Sequence, residues 1–529
     1  MAQMKILVAD TLSQDGIDVL TAEPQLAVDV KVGLTSAQLA DVIGPYEGLV
    51  VRSSTKVTAE VIARAERLRV IGRAGVGLDN VDAGAATARG IIVMNVPSGN
   101  TISTAEHTLS LLLSMARRIP QADAHLRAGK WERAKFVGVE LFGKTLGIVG
   151  LGRVGGEVAK RAQAFGMRVL AYDPFLSSER AQQIDVQMSD LPTLYRESDF
   201  ITVHTPLTAE TRHIIGAKEI AQMKPGVRLV NCARGGIIEE QALYDALVSG
   251  RVAGAALDVF ETEPPVNHAL LTLPQVVCTP HLGASTEEAQ LNVAVEVAKQ
   301  VADALLGRGI RNAVNMPSVD AKTLAVLQPY ITLGERLGSL ATQLSGGKVA
   351  EVRVTYVGEI IAHDISAVTL AVLKGILAPM VGETVNYVNA SLIAAERGVK
   401  VVEAKTSRAE EFANLLTLEV RSDGESLALQ GTLSARRQPR IVKIDRYVVE
   451  ASPEGHMLIL KNSDQPGLIG QLGTLLGEAG VNIAGMSNGR DAPGGMAITV
   501  LNVDSPVSAP LLEQVRRLRH VVDAKFITL

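Results

Sequence analysis

The sequence predicts an α/β chain: two doubly wound parallel-sheet domains, then a mixed α+β segment and a terminal βαββαβ unit. Three observations carry that expectation. Gly150-Leu151-Gly152-Arg153-Val154-Gly155 follows the apolar run Thr145 to Val149, and Asp173 stands eighteen residues beyond it. Glycines at this spacing let the chain turn tightly after a strand, so that a pyrophosphate can approach the free N–H groups opening the next helix. Nearly 150 residues precede the motif, and they alternate strand-like with helical runs, the rhythm of a further parallel sheet. The last eighty residues or so read strand, helix, strand, strand, helix, strand.

In chain order, Lys5 to Ala9, Gly48 to Arg52, Arg69 to Arg73 and Ile91 to Asn95 read as the strands of the first sheet. A polar stretch after Pro97 leads into a helix with Leu109, Leu112, Leu113 and Ala116 near helical spacing, which crosses into the next domain. Strands follow the glycine motif at Arg168 to Tyr172, Phe200 to His204, Leu229 to Cys232, Ala253 to Asp258 and Val276 to Thr279. They complete a full dinucleotide fold. An amphipathic helix runs from Thr286 to about Leu306, and Asn315-Met316-Pro317 marks a boundary. Residues 317–452 carry a helical pattern at Tyr330 to Leu344, an alternating strand at Val352 to Val357, and no sharp catalytic motif. Pro453-Glu454-Gly455 opens the last unit.

Composition narrows the function classes. The 52 basic residues nearly balance 56 acidic ones, for a net charge of −4, so no positive field favours nucleic acid. Cys232 and Cys278 are the two cysteines, which fits a reducing compartment and lacks both a disulfide framework and metal-ligand spacing. No metal site is expected. The start runs straight into a strand without a signal peptide's apolar region, and Leu109 to Ala116 is too short to span a bilayer. A cytoplasmic protein is the expectation.

Asp173 ends a predicted strand, where a carboxylate can accept hydrogen bonds from an adenosine ribose and repel a 2′-phosphate, favouring NAD over NADP. A carboxylate merely starting the Asp173-Pro174 turn is the alternative. Hydride transfer from a hydroxy acid requires a cation for the carboxylate, a base for the hydroxyl proton and an acid to orient that base. Arg234, in Asn231-Cys232-Ala233-Arg234-Gly235-Gly236, follows a strand end, where doubly wound sheets bind ligands. His281, in Thr279-Pro280-His281-Leu282-Gly283, also follows a strand, and an imidazole titrates near neutrality. Glu263 is assigned the orienting role. A surface arginine and a structural histidine are the alternatives to the first two.

Gly150 to Gly155, Asn231 to Gly236, Leu257 to Pro264 and Thr279 to Ser285 resemble the D-isomer-specific 2-hydroxyacid dehydrogenase family over residues 4–315. The resemblance implies a catalytic triad of Arg234, Glu263 and His281, with Glu263 rather than Glu261 matching the acid before proline. It also implies a split layout: a substrate-binding domain from residues 1–97 and 286–316, with an NAD-binding Rossmann domain, 98–285, inserted. Carried over by motif, NAD would meet Gly150, Gly152, Arg153, Val154 and Gly155 at the pyrophosphate and Asp173 at the ribose. Thr205 and Cys232 would lie along the cleft, with Asp258 near the nicotinamide carboxamide, Gly283 and Ala284 after the histidine, and Val76 from the other domain. Cys232 would act through its backbone, or simply be a small buried residue.

Arg52 and Arg73 both end predicted strands of the first domain, and two cations there suit a second anion on the substrate. Arg133 and Lys135 add charge from a neighbouring subunit or loop, or face solvent, and backbone groups around Ser98, Gly99 and Asn100 would help orient the substrate. The terminal Asn462-Ser463-Asp464-Gln465-Pro466-Gly467 and Val481-Asn482-Ile483 resemble an ACT domain, a regulatory amino-acid-binding module, over 453–529. Residues 317–452 then resemble an intervening allosteric-type domain, in which Arg440, Lys443 and Arg446 form either an anion site or a charged edge strand. The whole order is similar to the long-form branch of the family. That similarity implies NAD-dependent oxidation of 3-phosphoglycerate to 3-phosphohydroxypyruvate on the phosphorylated route to L-serine. It also implies serine as an effector contacting Asn462, Asp464 and Asn482, and a homotetramer. A glyoxylate or hydroxypyruvate reductase, and an NAD-sensing corepressor-like protein, are the rival readings.

Overall fold

The computed structural model describes residues 3–176, 183–346, 348–382, 384–407, 412–422 and 425–529. Its first sheet is parallel, in the order β2-β1-β3-β4-β5, from β1 (Met4–Val8), β2 (Leu26–Val30), β3 (Gly48–Val51), β4 (Val70–Arg73) and β5 (Ile92–Met94). Successive side chains of these strands enter different cores. Leu7, Leu49 and Ile71 pack with Leu39, Ile43 and Ile62 on one face, while Ile6, Val8, Val50 and Val70 pack with Leu20, Val297 and Val301 on the other. Both faces are therefore covered, which is why the strands read as apolar runs. The second cover is the helix Glu287–Leu305, which returns from the far side of the next domain. Gly72 admits it: a Cβ there would come within 2.5 Å of Val301. β2 was not among the predicted strands. It is an edge strand whose burial fades from Leu26 to an exposed Val30, so its alternation signal is weak.

The chain crosses near residues 95–100 into the helix Thr101–Arg117, whose Ala105, Leu109, Leu112 and Met115 join Leu146 and Ile148 in the second core. The second sheet is a seven-stranded parallel one, β12-β11-β10-β9-β6-β7-β8. Its strands are β6 (Thr145–Val149), β7 (Arg168–Tyr172), β8 (Gln187–Met188), β9 (Phe200–Val203), β10 (Val227–Asn231), β11 (Val252–Leu257) and β12 (Val276–Cys278). Strand order reverses at the β6/β9 neighbours, the place where such sheets open a ligand crevice. The two crossings lie side by side, with the Ser103 and Thr286 hydroxyls 2.8 Å apart. After the return helix, Asn315 sews the chain to β5, accepting from Val93 N–H at 3.0 Å and donating to the Ile91 carbonyl at 2.9 Å.

The third unit packs helices Ala321–Ser345 and Ser366–Val381 on a mixed six-stranded sheet. Its order is β14-β13-β15-β16-β17-β18, with β13 (Val349–Gly358), β14 (Lys400–Thr406), β15 (Asn414–Ser422), β16 (Glu425–Leu433), β17 (Pro439–Ile444) and β18 (Tyr447–Ala451). The charged edge-strand alternative is corrected here: β17, with Arg440 and Lys443, is an inner strand, and Arg446 is paired with Asp491 of the next unit at 3.0 Å. The last unit is an antiparallel sheet, β20-β21-β19-β22, with helices Leu468–Glu478 and Ala509–Arg516 sharing its core. Its strands are β19 (His456–Ser463), β20 (Ile483–Arg490), β21 (Met496–Val503) and β22 (Val521–Thr528). Among the described residues no helix is long and apolar enough to cross a membrane.

Candidate active site

The carboxyl ends of both parallel sheets meet across a cleft. Arg52 and Arg73 come from the ends of β3 and β4, while Arg234, Asp258 and His281 follow β10, β11 and β12. All five line one cavity of about 530 Å³, together with Asn100 and Glu263. His281 Nδ1 lies 2.9 Å from Glu263 Oε2. Because Nδ1 is engaged, a proton taken up by the ring goes to Nε2. The backbone at His281 sits at φ +56°, in the left-handed region that non-glycine residues rarely adopt. Its N–H is held by the carbonyls of Asp258 (2.9 Å) and Thr279 (3.0 Å). Glu261 is turned elsewhere, to Arg212 and His213 at 3.3 and 2.9 Å.

Across the cleft the charges are positive. Burial, with the neighbouring Arg234 and Arg52 cations, pulls the Arg73 guanidinium down to about 10, which still leaves it charged at neutral pH. Among the described residues its buried Nε has no hydrogen-bond partner. Arg234 Nε meets Asp79 Oδ2 at 3.2 Å, reaching from one lobe to the other. Three guanidiniums facing one cavity favour a ligand with more than one anionic group.

A second cavity, of about 460 Å³, continues along the inserted domain and is lined by Val76, Arg153, Val154, Thr205, Cys232, Asp258, Gly283 and Ala284. The glycines beside it divide the work. Gly150, at φ +95°, lies where a Cβ would come within 2.7 Å of the His204 carbonyl, and a Cβ on Gly155 would meet the Gly150 carbonyl at 2.1 Å. A Cβ on Gly152 would meet nothing within 4 Å, which leaves room for a phosphate at the start of helix Arg153–Ala164. Asp173 Oδ2 accepts from Leu151 N–H at 2.9 Å, linking the carboxylate at the end of β7 to the glycine loop. This donor set and cradle fit a dinucleotide. Burial pushes the Cys232 thiol up to about 12, so it is neutral and no nucleophile. Burial also lowers His204 to about 4, keeping that imidazole uncharged beside the cleft.

The remaining expected contact residues are placed differently from one another. Of Ser98, Gly99 and Asn100, only Asn100 lines the cleft; Ser98 is exposed, and Gly99 is wedged against Val293 and Val96. Arg133 lies on the exposed turn Arg133–Phe136, away from its own chain's cavities, and Lys135 is paired with Glu132 at 2.8 Å. Asn462 is buried in β19, where its amide accepts from Thr499 and donates to the Ser463 carbonyl, so it is no surface contact. Asp464 is paired with Arg490 at 2.9 Å, and Asn482 donates to Asp504 at 2.6 Å. Conversely, Asp79, Thr104 and His107 belong to no motif and come to the cleft or its supporting loop only through the fold. Thr104 and His107 touch the loop carrying His281, and their signal was polar residues on the otherwise apolar face of the crossing helix.

Three family models match successive parts of the chain. Residues 109–283 match the NAD binding domain of D-isomer specific 2-hydroxyacid dehydrogenases, 326–445 the D-3-phosphoglycerate dehydrogenase intervening domain, and 456–520 the ACT domain. The chain is 48% identical over 529 residues to D-3-phosphoglycerate dehydrogenase of Archaeoglobus fulgidus, covering 99% of this chain and 100% of that one. It is 42% identical to the Bacillus subtilis enzyme of the same name, covering 99% of each. Among solved structures, D-lactate dehydrogenase of Aquifex aeolicus, complexed with NAD and lactic acid, superposes with a TM-score of 0.52 at 29% identity. That match covers 57% of this chain and 96% of the other. With the cleft, the dinucleotide cradle and the two regulatory-type units in the same order, the chain belongs to the D-3-phosphoglycerate dehydrogenase family in its long form, NAD-dependent enzymes of serine biosynthesis.

Proposed function

We propose that 3-phosphoglycerate binds between a substrate lobe, residues 1–97 and 286–316, and a cofactor lobe, 98–285, with Arg234 on its carboxylate and Arg52 and Arg73 on its phosphate. The observation that carries this reading is the His281–Glu263 pair at 2.9 Å, sharing one cavity with three guanidiniums. Glu263 accepts the Nδ1 proton and so fixes the tautomer in which Nε2 is the base. As Nε2 takes the substrate hydroxyl proton, the same carboxylate stabilises the imidazolium. Bound NAD supplies the hydride acceptor. Arg234 and Asn100 hold the acid end still while the lobes close around it and exclude water. Asp173, the glycine loop, Arg153, Val154, Thr205, Asp258, Gly283, Ala284 and Val76 position the cofactor.

The half-buried Arg73, with its buried and unpartnered Nε, favours this over a glyoxylate or hydroxypyruvate reductase, which needs no second anion site. The test is NADH consumption with phosphohydroxypyruvate, hydroxypyruvate and glyoxylate. The expected preference is for the phosphorylated acid, and equal kcat/KM on the other two overturns the substrate assignment. L-Serine acts at the terminal domain through Asp464 and Asn482, and a homotetramer brings Arg133 to a neighbouring subunit's cleft. Both are tested by serine titration and by light scattering of wild type against Arg133→Ala.

A further inference from the structure

The loop that carries His281 is gripped from below by the crossing helix. Asp258 is fully buried, and its carboxylate gathers donors from three directions: Oδ1 accepts from Leu282 N–H (2.7 Å), Thr279 Oγ1 (2.6 Å) and His107 Nε2 (3.1 Å), and Oδ2 from Gly283 N–H (2.8 Å). Thr279 spends its proton on Asp258, so its oxygen accepts at 3.1 Å from His107 Nε2, which must carry the hydrogen. One helical turn before His107, Thr104 donates to the Gly283 carbonyl at 3.0 Å. Residues 279, 282 and 283 are thus all tied down, and His281, between them, is the one forced to φ +56°. Holding a non-glycine backbone there costs on the order of 1 kcal/mol or more, so something must over-determine it.

We propose that His107 is a positioning residue for the dehydrogenation: by donating Nε2–H to Asp258 and Thr279 it locks the Thr279–Gly283 loop, and so keeps His281 Nδ1 on Glu263. The inference rests on the reading of His281 as the base. His107 lies in the helix Thr101–Arg117 just after the first crossing, and Ser103 of that helix meets Thr286 at the second. The catalytic loop therefore moves with the helix that connects the lobes. Burial alone would raise the Asp258 carboxyl, but the hydrogen bonds from His107, Thr279 and Leu282 hold it below the ordinary carboxylate range. It therefore remains an acceptor throughout neutral pH.

The experiment compares full-length wild type, His107→Phe, His107→Gln and His281→Ala for kcat, KM, NADH dissociation constant and the pH profile of kcat. Removing the donor with His107→Phe lowers kcat about 10–100-fold, the range seen when an outer-shell partner is lost. KM stays within about threefold, since the substrate cations are untouched, and NADH binding weakens much less than kcat falls, since the glycine cradle is intact and of the proposed cofactor contacts only Asp258 and Gly283 are loosened. The acid limb of the profile moves to lower pH, because a loosened loop deprives His281 of the carboxylate that favours its protonated form. Of the other charges sharing its cavity, Arg234, Arg73, Arg52 and Asp79 are unaltered in the variant, while Asp258 loses one of its four donors and keeps those from Thr279, Leu282 and Gly283. His107→Gln retains an N–H and recovers most of the rate. His107→Phe with wild-type kcat overturns the proposal, as does a loss of kcat with an unmoved pH profile or with NADH binding lost in parallel. If His281→Ala itself keeps its turnover, the base assignment falls instead, whatever His107→Phe does.

Discussion

On the wall built by the second sheet the Asp258 carboxylate receives hydrogen bonds from Leu282, Gly283, Thr279 and His107, whereas on the wall built by the first sheet Arg73 is half-buried with a buried Nε that no described residue accepts. The first group is satisfied by the chain itself. The second is left for a ligand to satisfy, at a cost in stability that an anion repays on binding. Proton transfer depends on a few tenths of an ångström and calls for internal scaffolding, while anion recognition needs free donors. One sheet end supplies geometry and the other supplies charge.

Substitutions on the two walls should therefore fail differently. The largest effect is expected for His281→Ala, which lowers kcat about 10³-fold with NADH binding near normal by fluorescence titration. Near-normal turnover would remove the proton-handling wall from the comparison. Arg73→Ala comes next: kcat/KM for phosphohydroxypyruvate falls about 10–100-fold, the worth of one charge-assisted contact, while hydroxypyruvate loses much less. Equal losses on both substrates would make Arg73 a structural cation. Gly152→Val weakens NADH about tenfold while the melting temperature holds, because a Cβ there meets no protein atom within 4 Å. Gly155→Val, aimed at a carbonyl 2.1 Å away, should lower the melting temperature as well. The smallest effect concerns His204, whose burial lowers its pKa from 6.5 to about 4 in the folded chain. The unfolded chain then binds more protons below pH 6.5, so stability falls by about 1 kcal/mol per pH unit on acidification toward pH 5. Denaturant melts of His204→Gln should show that slope flattened.

What the sequence made legible follows from what is local. The Gly150–Gly155 loop carries its own spacing, Arg234 and His281 each follow a strand end, and Glu263 matches the acid before proline in the family pattern; these three side chains share one cavity, and Arg153 and Val154 of the loop line the adjoining one. β2 escaped because an edge strand buries one end only, and β17 read as an edge because charge was visible and its neighbours β16 and β18 were not. Ser98, Gly99 and Asn462 were polar or small residues beside motifs, and nothing local says that Gly99 is spent on Val293 or Asn462 on Thr499. His107 is the instructive omission. Its partners lie some 150 and 170 residues away at Asp258 and Thr279, a contact that only the fold brings about.

The return helix Glu287–Leu305 has a consequence for how the protein is made. It covers Ile6, Val8, Val50 and Val70, a face otherwise covered only in part by Leu20 of helix Gln14–Thr21, so the covering stays incomplete until the return helix has been synthesised. At roughly 5–20 residues per second, the roughly 190 residues between Pro97 and Glu287 take about 10–40 s to emerge from the ribosome, during which an apolar sheet waits unsealed. The inserted domain can fold as a unit in that interval. The sheet made before the inserted domain is thus completed after it, and nascent chains paused before residue 305 are the species most in need of a chaperone.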